Sequence, residues 1–250
     1  MRKIVWDKAG DRLYETGVSH GVLYPMDLNG NYPNGVAWNG LKSIKESFPG
    51  SDSNPYYMDG VKYYNLMSIG DYAAILEAYT YPDEFELCYG SVNAGNGLIV
   101  SQQARRLFGL TYRTRIGNDI QGDQLGYKLH LVYGCIATPT DRGYQSVNSS
   151  SDAITFSWDI TTTPLAMINF KPTSALTIDS RKIDPYALEI LESILYGINP
   201  FMGTFVDGQL PLPNLVKEII DSGGGTSWPS GPQKEYWVIG EGRIGSVSIL

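Results

Sequence analysis

The chain has little of the chemistry from which most enzymes and metal proteins are built, with only two cysteines and two histidines among 250 residues. His20 and His130 lie far apart, and neither has a metal-ligand spacing or a nucleophile beside it. Cys88 and Cys135 are too few for a disulfide framework, so we expect both to be small buried hydrophobic side chains. The sequence therefore predicts a protein that is not an enzyme and that binds no metal or cofactor.

Long apolar runs and an excess of positive charge are also missing. No stretch approaches the roughly 18 apolar residues of a membrane span, and the N-terminus has no apolar signal segment. We therefore expect a protein made in the cytoplasm with no membrane partner. Charged residues make up 18% of the chain and the net charge is −7. This balance argues against a surface that grips nucleic acid, but not against one that DNA passes without binding.

Tyrosine and glycine are abundant instead, at 18 and 28 residues, a mixture typical of mainly β proteins with many turns. The clearest element is a long hairpin over Leu107–Ala137, in which apolar and polar residues alternate on both sides of a polar, Gly-containing loop. If the apolar faces of its two strands coincide, Arg115 stands opposite Lys128 and Arg113 opposite His130 on the wet face. Because like charges across a ladder are unfavourable, we expect carboxylates from elsewhere to neutralise them.

The remaining elements are shorter and follow from the same patterns. Periodicity and turn residues predict strands at Lys3–Trp6, Gly17–Tyr24, 35–47 with a bulge near Gly40, Val61–Met67, Tyr72–Thr80, Ala153–Thr163, Ala175–Asp179 and Tyr236–Leu250. Helices are predicted at Pro82–Leu87, at Asp184–Tyr196 with Asp184 as its cap, and at Leu212–Asp221. The chain thus divides into a domain over residues 1–220 and a Gly/Ser-rich linker with a C-terminal extension over 221–250.

One enzymatic interpretation rests on acidic residues near tryptophans. Asp83, Glu84 and Glu86 have the character of glycosidase carboxylates, with Trp38 or Trp158 as sugar platforms. Acidic residues at the start of a short helix complement its dipole, and this role is favoured.

Six segments in order resemble the major tail proteins of long-tailed siphophages of Gram-positive hosts. They are Gly21–Pro25, Asn34–Gly40, Glu77–Phe85, Phe108–Asp119, Gly126–Gly134 and Ser157–Pro164. The resemblance implies a mainly β phage tail-tube fold: an antiparallel β-sandwich or barrel with one flanking α-helix, contributing strands to an oligomeric inner β-barrel. It also implies a structural virion protein, assembled in the host cytoplasm, whose hexameric rings stack into the tail tube that delivers phage DNA.

The same resemblance implies partners and surfaces. The partners would be other copies of the chain, the tape measure protein, and the tail terminator and distal tail proteins, while genomic DNA passes through the lumen without specific binding. The strands at 72–80, 107–116, 127–137 and 153–163 would line the inner barrel. The candidate lumen-facing residues are Glu77, Arg113, Arg115, Lys128, His130 and Asp159. Candidate ring–ring contacts lie in the loops 117–126 and 138–151, at Asn118, Asp119, Asp123, Asp141, Arg142 and Tyr144.

Two alternatives remain open from the sequence. A β-sandwich carbohydrate-binding module would use Trp38, Tyr56, Tyr57 and Tyr63 to stack on sugars. A tube protein of a contractile tail or bacteriocin would share the inner barrel but work inside a sheath.

Overall fold

The computed structural model describes residues 3–50, 53–67, 70–144, 146, 153–198 and 206–223. The chain is mainly β and its strands pair antiparallel, which confirms the predicted fold class. The strands are β1 (Tyr14–Pro25), β2 (Val36–Ala37), β3 (Leu41–Ser47), β4 (Ser53–Met58), β5 (Val61–Met67), β6 (Ala73–Ala78), β7 (Ser91–Asn93), β8 (Ile99–Ser101), β9 (Phe108–Asn118), β10 (Gly122–Pro139), β11 (Phe156–Thr162) and β12 (Ala175–Asp179). The helices are α1 (Glu86–Tyr89), after a 3-10 turn at Asp83–Phe85, α2 (Pro185–Tyr196) and α3 (Pro213–Asp221).

Strand β10 connects the two halves of the main sheet, whose order is β2-β1-β9-β10-β11-β6-β3. One edge of β10 pairs with β9, while the other edge pairs first with β12 and then with β11. The change of partner falls at Gly134, which has φ +60°, and a Cβ there would lie 2.3 Å from the carbonyl oxygen of Thr163. This bulge therefore requires glycine.

The sheet curls around a first set of buried side chains, which we call the barrel core. Leu23 of β1, Leu110 of β9 and Trp158 of β11 belong to it. Strand β1 also lies against β3, the last strand at the other end of the sheet, because a Cβ added to Gly21 would lie 2.8 Å from a side-chain carbon of Leu41. Together these contacts make an incomplete barrel, with residues of α1 buried in the same core.

The opposite face of β9 and β10 is covered by helices, and this second set of buried side chains is the helix-side core. Leu129 and Leu131 of β10 pack there with Leu191 of α2 and Val216 of α3. Helix α2 begins as predicted, because the Asp184 carboxylate accepts hydrogen bonds from the two backbone N–H groups at 186 and 187.

Most predicted elements are confirmed, but several differ. Residues 3–6 form no strand, and Gly40 is a turn with φ +76° that separates β2 from β3 instead of a bulge within one strand. Strands β4, β7 and β8 were not predicted. The predicted strand at 236–250 and most of the polar loop after residue 144 lie outside the described residues.

The predicted register of the central hairpin is wrong. Across the β9–β10 ladder, Arg115 faces Tyr127 and Arg113 faces Leu129, while the partners of Lys128 and His130 are Thr114 and Tyr112. The reason is that the sheet is covered on both sides. Within the paired part of the hairpin, Leu110 and Tyr112 of β9 enter the barrel core, whereas Leu129 and Leu131 of β10 enter the helix-side core.

Candidate functional site

One sheet surface remains open to solvent in the described chain, and we call it the open face. It is the side of β3, β6, β11 and the end of β10 that points away from the barrel core. One cross-strand row on it runs Lys45, Ile75, Asp159, Thr138, and the next runs Ser43, Glu77, Ser157. The alternate residues of the same strands, such as Leu76 and Trp158, are fully buried. The alternation predicted for these strands is therefore present.

Acidic and basic side chains alternate with hydroxyl side chains on the open face. The Lys42 ammonium lies 3.3 Å from the Glu77 carboxylate, which also accepts a hydrogen bond from the Ser43 hydroxyl at 3.1 Å. Hydrogen bonding to Lys42 and then to Ser43 lowers the pKa of Glu77 from its ordinary value. Lys45 and Asp159 stand in one row, separated by Ile75. The Arg105 guanidinium also donates to the Thr138 hydroxyl, at 3.0 Å. The face therefore carries interspersed acids and bases among hydroxyl side chains.

Arg113 does not lie on a wet face of the hairpin. Its guanidinium lies 2.8 Å from Glu192 of α2, donates to the hydroxyl of Tyr196 at 3.0 Å, and sits over the rings of Tyr127 and Tyr196. Its side chain is only 16% exposed. Arg113 therefore fastens β9 to helix α2, and the prediction that it shares one polar face with Lys128 and His130 is wrong.

The other two strongly basic residues of the hairpin also have carboxylate partners. Arg115 pairs with Asp123 at 2.7 Å, near the hairpin turn, and Lys128 pairs with Glu15 of β1. These contacts confirm that carboxylates neutralise the basic side chains. Arg115 and Lys128 lie on opposite faces of the hairpin, because Lys128 stands opposite Thr114.

His130 lies on the barrel-core side of β10 and is largely buried, with 12% of its side chain exposed. Its ring stacks on Tyr112 at 4.6 Å between centroids, and Nε2 lies 3.0 Å from the Thr114 hydroxyl. Nδ1 is 3.8 Å from the Glu46 carboxylate. Burial lowers the pKa of His130, although Glu46 opposes the shift. Of the six candidate lumen residues, only Glu77 and Asp159 thus share the open face.

The loop predicted at 117–126 shrinks to three residues, because β9 continues to Asn118 and β10 begins at Gly122. Asn118 is 7% exposed, and its side-chain carbonyl accepts from the backbone N–H groups of Ile120 and Gln121. Asp119 accepts a hydrogen bond from the backbone N–H of Gly10 at 2.9 Å. Asn118 therefore shapes the turn, while Asp119 and Asp123 hold other parts of the same chain.

The second predicted contact loop begins after β10. The Arg142 guanidinium lies over the rings of Tyr89 and Phe156, at 5.1 and 5.2 Å from their centroids, beside the end of the barrel that α1 closes. Asp141 and Tyr144 are exposed, Tyr144 at 72%. Arg142 therefore has an internal role, and Asp141 and Tyr144 remain accessible.

The hairpin β4–β5 exposes a group of apolar side chains. Its turn is Asp59–Gly60, with φ +51° and +78°. Asp-Gly between alternating residues is a strong hairpin signal, so β4 was predictable from the sequence. The strands expose Tyr57 at 67% and Tyr63 at 71%, and carry the further exposed apolar residues Tyr56, Met58, Val61, Tyr64 and Leu66. A two-stranded hairpin is at best marginally stable alone, and these side chains stay exposed in the single chain.

The tryptophans proposed as sugar platforms are not available to a ligand. Trp38 is 4% exposed and its indole N–H donates to the carbonyl of Thr80 at 3.0 Å, while Trp158 is fully buried. Tyr56, Tyr57 and Tyr63 are exposed. A carbohydrate-binding site could therefore not use Trp38, but the three tyrosines are accessible for stacking on sugars.

Cys88 and Cys135 are free and buried, which confirms their predicted role as hydrophobic side chains. Within the described ranges no group of three or more His, Cys, Asp or Glu side chains is arranged to hold a metal ion. None of the described helices has the length and apolar character needed to cross a membrane.

Comparisons with known proteins give weak likenesses. No protein-family model matches the chain, and no curated protein matches it in sequence. Among solved structures it is similar to a chain of the PVC sheath–tube complex, an extracellular contractile injection system in its extended state, with 12% identity and a TM-score of 0.34 over 64% of this chain and 88% of that one. It is also similar to a chain of the anti-feeding prophage baseplate, with 8% identity and a TM-score of 0.26 over 64% and 93%. At these low scores neither likeness identifies this chain.

Proposed function

We propose that the chain is a structural subunit of a phage-type tail tube, built from rings of identical copies that stack and let DNA pass. The observation that carries this proposal is the open face: a continuous solvated sheet surface with acids, bases and hydroxyls, whose reverse side is the barrel core. A ring of subunits can place such a surface around a channel. The residues that support it are those of the two rows through Asp159 and Glu77.

The strands of the open face differ in one member from those predicted. Strand β9 is replaced by β3, because helices cover the outer side of β9. Four strands from each of six subunits make a barrel of roughly 24 strands. At about 4.8 Å per strand and a tilt of about 40°, its backbone radius is on the order of 25 Å, enough for a duplex to pass.

The electrostatics of the open face suit a sliding duplex. Every fixed basic contact to a phosphate binds DNA by releasing counterions, so bare lysines in a channel would hold the duplex in place. Glu77 neutralises Lys42, and Asp159 stands in the row of Lys45. Glu77 and Asp159 are therefore our candidates for the lumen.

Ring closure would also use free sheet edges. Strand β3 pairs with β6 alone among the described strands, so its outer edge presents unpaired backbone groups. We place this edge against the end of β10 in the neighbouring copy, which continues the four-strand surface around the ring. The exposed hairpin β4–β5 would pack on another copy and bury its aromatic side chains.

The sequence resemblance supports a more specific proposal. The chain would be a major tail protein of a siphophage with a Gram-positive host, located in the virion tail. Its partners would be the tape measure, tail terminator and distal tail proteins. A contractile relative would instead carry a sheath on the outer surface formed by α2 and α3. Reconstitution with and without a sheath protein separates these two assignments.

Electron microscopy of the purified protein tests the proposal. Concentrated protein in negative stain should show hollow tubes of uniform width, and the same preparation should give no hits on a glycan array. A monodisperse monomer that binds glycans through Tyr56, Tyr57 and Tyr63 would overturn the proposal in favour of the carbohydrate-binding alternative.

A further inference from the structure

The segment that precedes β1 carries three exposed apolar side chains. Ile4, Val5 and Trp6 are 69, 56 and 75% exposed, although residue types of this kind favour a strand. Residues 3–6, which we call the arm, form no strand and join none of the sheets in the described chain. The arm therefore has the composition of a strand but no neighbouring strand to pair with.

The chain just after the arm is fixed to the turn between β9 and β10. The backbone N–H of Gly10 donates to the Asp119 carboxylate at 2.9 Å, and the side-chain amide of Asn118 donates to the carbonyl of Gly10 at 3.1 Å. The Arg12 guanidinium lies 3.7 Å from Asp119 and donates to the carbonyl of Asp7 at 3.1 Å. The arm thus starts from a defined place on the fold.

The hairpin β4–β5 offers the matching sheet edge. Among the described strands, β4 and β5 pair only with each other, so each keeps an outer edge with free backbone groups. Pro55 lies in β4 and has no N–H, which makes the outer edge of β4 a poorer partner for another strand. Strand β5 contains no proline. The outer edge of β5 is therefore the better acceptor.

A third strand would strengthen this hairpin, because three or more strands with an apolar face are needed for independent stability. In an added strand Ile4 and Trp6 would lie on one side of the sheet and Val5 on the other. The hairpin has apolar side chains for both sides, since the consecutive residues Tyr63 and Tyr64 are both exposed. Each side of the arm would therefore meet apolar surface.

The area of this contact suits a ring of copies better than an isolated dimer. Burying a large aromatic side chain removes about 150–250 Å² from water, so the three arm side chains and the hairpin surface that they cover account for on the order of 800 Å². Stable dimers bury at least about 1,200 Å². In a closed ring each copy gives one arm and receives another, so that contacts of this size reinforce one another.

We propose that the arm of one copy adds to the outer edge of β5 in another copy, as the third strand of the hairpin. This inference rests on the proposed assembly of identical copies and names one of its contacts. The partner is a second copy because the arm and the hairpin are both exposed in the single chain.

Disulfide trapping between full-length chains tests this contact. The two native cysteines, Cys88 and Cys135, are buried, so an introduced thiol is the accessible one. One variant carries Val5→Cys, and its partner carries either Lys62→Cys or Asn65→Cys, which place the thiol on opposite sides of β5. A size tag on one variant identifies the mixed covalent dimer after oxidation with diamide. One of the two β5 positions should be trapped, because a disulfide forms only between Cα atoms about 4.4–6.8 Å apart.

Matched controls show whether the trapping is specific. A Leu28→Cys partner, exposed elsewhere on the chain, should react at least about tenfold more slowly, because only a formed contact raises the effective concentration of the thiols. Adding Ile4→Ser and Trp6→Ser to the arm variant should lower its rate to that of this control, while adding Lys3→Ser should leave the rate unchanged. Equal rates with the Leu28→Cys partner, or a rate that the two serines do not lower, would overturn the inference.

Two other occupants of the β5 edge give different results. In the double variant Val5→Cys, Lys62→Cys, a disulfide within one chain would show that the arm folds back on its own hairpin. Trapping of Lys62→Cys by Ser246→Cys in place of Val5→Cys would assign the edge to the segment that follows residue 223. Either result would overturn the inference.

The trapping experiment is read on a denaturing gel and does not require tubes. Specific trapping in a protein that forms no tubes would count against the tail-tube proposal and support the contact between arm and hairpin. Tubes from a protein whose arm is not trapped at either β5 position would overturn the contact and leave the tail-tube proposal intact.

Discussion

Arg113 of the central hairpin lies 2.8 Å from Glu192 of helix α2, with its guanidinium between the rings of Tyr127 and Tyr196. Tyr127 also donates a hydrogen bond to the same carboxylate, at 2.5 Å. A residue that the alternation of β9 assigned to a wet surface is thus part of the joint between sheet and helix.

The variant Glu192→Gln removes the charge that compensates a mostly buried guanidinium. We expect the free energy of unfolding to fall by about 1.5–3 kcal/mol, the range for hydrogen bonds to charged groups. Urea denaturation measures this loss. Glu189→Gln, an exposed site on the same helix, is the matched control. Equal stabilities of the two variants would show that the Arg113 contact contributes nothing.

Gly134→Ala tests the bulge at which β10 changes partner. Its φ of +60° disfavours any other residue, and the new Cβ would lie 2.3 Å from the Thr163 carbonyl oxygen. Gly122→Ala is the control, because its φ is +64° but no atom lies within 4 Å of the added Cβ. We expect the free energy of unfolding of the control to fall by about 1–2 kcal/mol, because of the positive φ alone. In Gly134→Ala it should fall by about 1–3 kcal/mol more, because of overpacking. Equal losses in urea denaturation would contradict this account of the bulge.

The pH dependence of stability tests the burial of His130. Because burial lowers its pKa below 6.5, the unfolded chain binds a proton more readily than the folded chain. Stability is therefore fully present above pH 6.5 and declines as the pH falls through that value toward the folded-state pKa. In His130→Gln this decline should shrink, as measured by denaturation at a series of pH values.

The pKa of His20 is also lowered, first by burial and then by Arg113. His20→Gln is therefore the comparison variant. Because His20 is exposed, His20→Gln should alter the pH dependence of stability less than His130→Gln does. If the stability of His130→Gln depends on pH in the same way as that of the unmodified protein, burial of His130 is not the cause of the decline at low pH.

The double variant Tyr57→Ser, Tyr63→Ser tests the hairpin β4–β5 as an assembly element. Both side chains are exposed in the single chain, at 67% and 71%, so the melting temperature of the monomer should change little. Tube formation, followed by sedimentation and negative stain, should be lost. Leu28→Ser, at another fully exposed apolar residue, should still form tubes. Normal tubes from the tyrosine variant would exclude a role for the hairpin in assembly.

Sequence patterns located most elements because local signals determine them. The strands Val61–Met67 and Ala175–Asp179 and the cap at Asp184 lie where alternation and capping chemistry predict. The predicted register of the hairpin and the predicted direction of its faces were wrong, because both depend on what covers each side of the sheet. Alternation within β9 and β10 does not reveal that their apolar faces point in opposite directions, toward Trp158 and toward Leu191.

The candidate site was predictable only in part for the same reason. Glu77 and Asp159 lie on neighbouring strands of the open face, as their alternation indicates. Arg113 does not lie on the open face, because it pairs with Glu192 of helix α2, which is distant in sequence. A cavity beside His130 is lined by five separate stretches of the chain, and no local sequence pattern marks it.

A cryo-EM reconstruction of assembled tubes tests the central claim most directly. The tail-tube account predicts six subunits per ring and a bore lined by β3, β6, β11 and the end of β10, with Glu77 and Asp159 facing the channel. Tubes whose bore is lined by α2, or a protein that stays monomeric at high concentration, would contradict it.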